Sequence, residues 1–149
     1  MPLEAVLNLI VVGMVAFTLL FTVVIGGRVE RTGAGIMFAN VSATAVAGAL
    51  MGVDPSPVVF MVIDICTALA FGALALRNPE KLWPGVAGVA MTFVMVFSAT
   101  RAIGFPLSPF AYMAALNLSG LLLQGTLIAG ACAHRWGRKP AADLKLAAA

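Results

Sequence analysis

The sequence predicts an all-α integral membrane bundle of five transmembrane helices, on three observations. Hydrophobic residues make up 62% of the chain and charged residues 10%, with a mean hydropathy of +1.06; soluble domains run nearer about half apolar and about a quarter charged. The apolar residues fall into five long runs separated by short breaks rich in Gly, Pro and charge. The basic residues gather in alternate breaks, as membrane orientation requires.

The first run, Leu3 to Ile25, is interrupted by Asn8. It is too long for the apolar core of a signal peptide and nothing basic precedes it, so it reads as a retained span. Gly26 to Gly33 reads as a short charged turn, and Gly35 to Val53 as a second span rich in Ala, Gly, Ser and Thr. Asp54-Pro55-Ser56-Pro57 then breaks the chain. Ser56 is placed to cap the third helix, with Pro57 at its first position, where a missing N–H costs nothing. That helix, about residues 57–76, ends at Arg77-Asn78-Pro79-Glu80-Lys81. The fourth opens at Trp83-Pro84 and runs to about Ile103. Gly104 to Ser108 makes a further break with the same Ser-Pro start, and the fifth span covers about 109–133. About 20 residues at about 1.5 Å rise cross a hydrocarbon core of about 30 Å. Residues 1–134 thus form one transmembrane domain. Residues 135–149 form a polar tail whose last five, Lys145 to Ala149, resemble the remnant of a cloning site.

Placing the N-terminus outside puts Arg28, Arg31, Arg77, Lys81, Arg135, Arg138, Lys139 and Lys145 inside, leaving Arg101 of the nine basic residues towards the outer face. Trp83 and Trp136 then lie at the inner interface, as in an aromatic belt. The expected topology is N-out and C-in, in a bacterial inner membrane.

Composition also excludes. A net charge of +3 carried in short connections, without a basic stripe interleaved with aromatics, excludes nucleic acid as a partner. Cys66 and Cys132 have no CxxC or zinc spacing and read as small buried apolar residues without a mutual disulfide. The single His134 excludes a multi-imidazole metal site and paired-histidine haem ligation, so neither metal nor cofactor is expected. HExxH, GxSxG and phosphate-loop signatures are missing, and no lysine lies within a span to form a serine–lysine dyad. The chain reads as non-enzymatic.

The polar residues inside the spans are the candidate sites. Asp64 lies mid-way along the third run, at an insertion cost of about 2.5–3.5 kcal/mol, offset by ten Leu, Ile, Val and Phe residues in the same run. Such a carboxylate turns away from lipid towards a partner or water. Arg101, near the outer end of span four, either reaches down to Asp64 or snorkels to the interface. Asn117 lies at similar depth in span five and Asn8 in the outer part of span one, so the four residues are candidates for one polar cluster. Helix packing is expected along Asn40, Thr44 and Gly48 of span two, with Gly52 completing a GxxxG spacing, and along Gly120 and Gln124 of span five.

The charged turn, the aspartate in the third span and the start Lys81-Leu82-Trp83-Pro84 resemble small bacterial inner-membrane proteins; the resemblance implies a location and no activity. The expected function is therefore helix packing, as a homo-oligomer or as a small subunit of a membrane complex, with lipid and other membrane proteins as partners. The alternative is a small transporter or channel in which Asp64 binds an ion or proton.

Overall fold

A computed structural model describes residues 3–51 and 57–137, with side chains from Ile10 onward except that of Pro109. All regular structure among these residues is helical: α1 (Leu3–Ile25), α2 (Arg28–Met51), α3 (Pro57–Arg77), α4 (Leu82–Ala102) and α5 (Pro109–Trp136). Four helices are long and apolar enough to cross a membrane; the described apolar part of the fifth, α1, is the shorter Ile10–Ile25. The helix count and class are those expected from the sequence.

Each break has a local cause. The charged turn expected over Gly26–Gly33 shrinks to Gly26-Gly27, and the other six residues begin α2. Gly27 occupies the N-cap, with its carbonyl accepting from Arg31 N at 3.0 Å and its own N–H donating to Glu30 Oε2 at 3.0 Å. Glu30 is thus at the third helical position, reaching back as the glutamate of a capping box does. A side chain at Gly26 is barred, since its Cβ would lie 2.5 Å from the Thr22 carbonyl and 2.6 Å from Glu30 Cβ.

Between α3 and α4, Lys81 N donates to Asn78 O at 3.0 Å across a tight turn with Pro79 at its second position. Pro84, in the first turn of α4, falls among positions whose N–H groups have no helical acceptor. The α4 end is a Schellman motif: Gly104 N donates to Arg101 O and Phe105 N to Thr100 O, with Gly104 at φ +77°. Ser108 caps α5 by accepting from Ala111 N at 3.1 Å, ahead of Pro109. Ser56, the corresponding cap expected for α3, lies outside the described residues.

The helices pack unevenly. α3 and α4 form the closest pair, followed by α4 with α5 and α2 with α3. The core comprises Met37, Phe71, Leu74, Trp83, Ala87, Met91, Leu123 and Leu127. Trp83 is its centre, meeting Phe71 edge-on at 6.5 Å. Gly33 and Gly130 let α2 and α5 close on the indole; a Cβ on Gly130 would lie 2.7 Å from Trp83 Cδ1. All of this lies towards the end of the bundle that carries Glu30. Towards the opposite end, residues 38–51 of α2, 57–66 of α3 and 110–118 of α5 include no buried residue, and burial continues at Val94, Ser98 and Ser119.

Candidate functional site

Two polar layers cross the bundle. The deeper one is built on Glu30, whose side chain is 1% exposed. Its Oε1 accepts from Lys81 Nζ at 2.6 Å and from Trp83 Nε1 at 3.3 Å, and its Oε2 accepts from Gly27 N. An ammonium and an indole N–H from the start of α4 and a backbone amide from the α1–α2 turn thus converge on one carboxylate. Charge-assisted bonds of this kind are about twice as strong as neutral ones, and a buried ion held this way costs little only while every donor is present. The pair is the one ion pair among the described residues. Lys81 is also the N-cap residue of α4, and its side chain makes no capping bond because an ammonium has no acceptor to offer the first helical amides.

His134, in the last turn of α5, brings a third segment to this end. Its Cε1 and Nε2 lie 2.6 and 2.8 Å from where a Cβ on Gly27 would stand, so α5 closes against the α1–α2 turn only because Gly27 has no side chain. Beside these groups lies a cleft of about 470 Å³, bounded by Glu80, Lys81 and His134 on its polar side and by Leu82, Trp83 and Ala133 on its apolar side. Among the described residues, no three His, Cys, Asp or Glu side chains converge in a way that could hold a metal ion.

The second layer holds Asp64. Its Oδ2 accepts from Ser98 Oγ of α4 at 2.7 Å. Asn40 of α2 stands beside the same carboxyl and donates through Nδ2 to Thr67 Oγ1 at 2.8 Å, while Thr67 donates to Ile63 O. Three helices are tied at one depth by four side chains. A third link joins α1 to α5, where Thr18 Oγ1 lies 3.2 Å from Gln124 Oε1 and 2.9 Å from Met14 O.

The structure therefore distributes the expected cluster. Asp64 meets Ser98 and Asn40, not Arg101, whose guanidinium lies 4.8 Å from the centroid of the Tyr112 ring. Arg101 is exposed at its helix end, and the aromatic face it finds there needs no long reach into the bundle. Asn117 is exposed on α5 and joins neither layer by a hydrogen bond among the described residues, and the Asn8 side chain lies outside the described residues.

Of the residues expected to pack helices, Asn40 and Gln124 bond across helices, and Thr44 is half-buried. Gly48 and Gly120 would each meet nothing within 4 Å if given a Cβ, while Gly52 lies outside the described residues. The close approaches are at Gly27, Gly33 and Gly130 instead. Cys66, expected to be buried, is exposed, and Cys132 is half-buried; both are free thiols. Glu30, Lys81, Ser98 and His134 are not singled out by the sequence, although Glu30 three residues after a glycine N-cap is a readable capping pattern.

Comparison of the chain with protein-family models, curated proteins and solved structures finds no match.

Proposed function

We propose that this chain is a multi-pass protein of a bacterial inner membrane, N-terminus outside and C-terminus inside. It acts without catalysis by packing against further helices, as a homo-oligomer or as a small subunit of a membrane complex. The observation that carries this reading is the uneven bundle: α2, α3 and α5 stop burying residues against one another over the half remote from Glu30. Exposed Leu, Ile, Val and Phe need no partner in lipid, because acyl chains are equally apolar. Small and polar residues at the surface are another matter, and this half presents Gly48, Ala114 and Asn117. Small residues permit close helix approach and amides bond across it. The carboxylates are meanwhile used as braces, Glu30 by three donors and Asp64 by Ser98.

The test is the state of the protein extracted from its native membrane in mild detergent. Particles larger than the 15.3 kDa chain, after allowance for detergent, or a co-purifying membrane protein, are expected. A strict monomer with no companion would overturn the reading.

A second reading, a small transporter or channel, is favoured by one observation. Asp64 is only half-buried, with Ser98 donating to Oδ2 and Asn40 beside the same carboxyl. A carboxylate without a paired cation at the edge of the loosely packed half is placed to bind a proton or cation. Flux into liposomes that Asp64→Asn leaves unchanged would remove this reading.

A further inference from the structure

Asp64 is a carboxyl within a helix long and apolar enough to cross a membrane. In hydrocarbon such a group needs a positive partner, either a proton or a cation. The cations of the chain are placed elsewhere. Lys81 bonds Glu30, and Arg101 lies over Tyr112. Arg28 and Arg31 open α2 and Arg77 closes α3, all at the Glu30 end. Arg135 lies in the last turn of α5, and the three later basic residues follow it in the sequence. Residues 1–9 and 52–56 contain no lysine or arginine. The positive partner of Asp64 is therefore to be sought outside the chain.

The groups around the carboxyl decide which kind it takes. Ser98 Oγ donates to Asp64 Oδ2 at 2.7 Å, and Asn40 stands beside the same carboxyl. Asn40 Nδ2 donates to Thr67 Oγ1, and Thr67, three residues after Asp64 on α3, donates to Ile63 O. Both hydroxyl hydrogens are thus spent, so Ser98 and Thr67 have lone pairs left to offer, and the amide oxygen of Asn40 is a further acceptor. Ser98 and Thr67 are 2% and 5% exposed, so packing holds their oxygens in place. A proton needs one oxygen. A cation stripped of water needs several at once, and a carboxyl, two hydroxyls and an amide from three helices gather here at one depth.

We infer that the Asp64 layer is a binding site for a monovalent alkali cation, with Asp64 as the charged ligand and Ser98, Thr67 and Asn40 as neutral oxygen ligands. One carboxylate balances one positive charge, whereas calcium takes a larger oxygen shell with more carboxylate in it. No three His, Cys, Asp or Glu side chains converge among the described residues, so metals that favour nitrogen and sulfur have no ligand set. Asp64 is half-buried at the boundary of the loosely packed half, so an ion reaches it without opening the aromatic core. This inference rests on the second reading, in which Asp64 takes a proton or cation, and it names the ion class and the ligands.

The experiment uses the full chain in detergent, with chlorides of Na+, K+, Ca2+ and choline compared at equal ionic strength. The denaturation midpoint is expected to rise with the logarithm of Na+ or K+ concentration, above its value in choline. Equilibrium dialysis against radiolabelled Na+ or K+ should show saturable binding. Asp64→Asn is expected to abolish both effects. Ser98→Ala keeps the carboxyl and should weaken binding about 10-fold or more, the loss that even an outer partner of a bound metal causes. Glu80→Gln, at an exposed carboxylate of the Glu30 end, should change neither.

A midpoint that responds equally to Na+, K+ and choline would overturn the site, as would binding indifferent to Asp64→Asn. A response to Ca2+ alone would overturn the monovalent ion. Proton flux that needs Asp64 while Na+ and K+ have no effect would also overturn it, yet leave the second reading intact. Binding lost in Asp64→Asn, without flux into liposomes, would support the site and remove transport. Neither binding nor flux would overturn both.

Discussion

The two ends of the bundle solve the same problem in opposite ways. At the Glu30 end, a carboxylate, an ammonium, an indole and a backbone amide are drawn into one saturated knot, and the aromatic core of Trp83 and Phe71 closes around it. At the Arg101 end, the charged and polar groups stay apart: Arg101 lies on Tyr112, Asn117 faces outward, and the flanking stretches of α2, α3 and α5 include no buried residue. Asp64 and Ser98 sit near the boundary. The contrast teaches that burial and saturated polar bonding are segregated along the bundle axis. One end is closed on itself, and the other leaves its polar groups dispersed at the surface.

Breaking the closed end should have the largest effect. Lys81→Met leaves the Glu30 carboxylate buried without its cation, a change that costs about 3–5 kcal/mol when a buried pair loses one member. The denaturation midpoint in detergent is expected to fall further for this variant than for any other single substitution at the knot or in the Asp64 layer. Glu30→Gln should cost less, because no buried charge is left unpaired and the single amide oxygen still accepts from either Gly27 N or Trp83 Nε1. Combining it with Lys81→Met should cost less than Lys81→Met alone, since no unpaired charge is left. Equal stability of Lys81→Met and the parent chain would remove the knot as a stabilising element.

The steric side of that end comes next. Gly130→Val puts a branched side chain where even a Cβ would stand 2.7 Å from Trp83 Cδ1. Overpacking of this kind costs about 1–3 kcal/mol, and displacement of the indole should also be visible as altered tryptophan fluorescence. An unchanged midpoint and spectrum would mean that α5 does not close on Trp83.

The boundary layer should respond more weakly. Ser98→Ala removes the direct donor to Asp64, and interhelical hydrogen bonds in membranes contribute about 0.6–2 kcal/mol each. Asp64→Leu combined with Ser98→Ala should recover most of the loss, because Asn40, the other polar group at the carboxyl, keeps its bond to Thr67. A double variant no better than Ser98→Ala would show that Asn40 depends on Asp64 as well.

What the sequence makes legible follows from what each signal depends on. Helix number and class rest on long apolar runs and on Gly and Pro breaks, which are local, and the five helices follow them. Asp64 is conspicuous because it interrupts an apolar run. Glu30 is the more deeply buried carboxylate and escapes notice because Arg28 and Arg31 beside it give the segment the composition of a solvated turn. Its burial depends on Lys81 and Trp83, some fifty positions away, and no local pattern encodes that meeting. Depth alone places Arg101 near Asp64; helix rotation, which gives it Tyr112 instead, is fixed by packing across α4 and α5. Glycine spacing, likewise, does not say whether a neighbour stands opposite.

That last distinction makes the smallest effect informative. Gly48 and Gly120 have open space where a Cβ would go, unlike Gly33 and Gly130. Gly48→Ala and Gly120→Ala should therefore change the denaturation midpoint of the isolated chain by no more than the equivalent of about 0.5 kcal/mol, with helix propensity favouring alanine. The sharper variant is Gly48→Leu, whose Cβ meets nothing within 4 Å among the described residues and whose side chain projects beyond the surface of α2. If α2 lies in lipid, Leu at this site leaves both stability and particle size unchanged. If a neighbouring molecule packs on α2 there, the same side chain lowers the size of the extracted particle without lowering the stability of the chain. The two measurements together separate a glycine that simply faces lipid from one kept small for a partner.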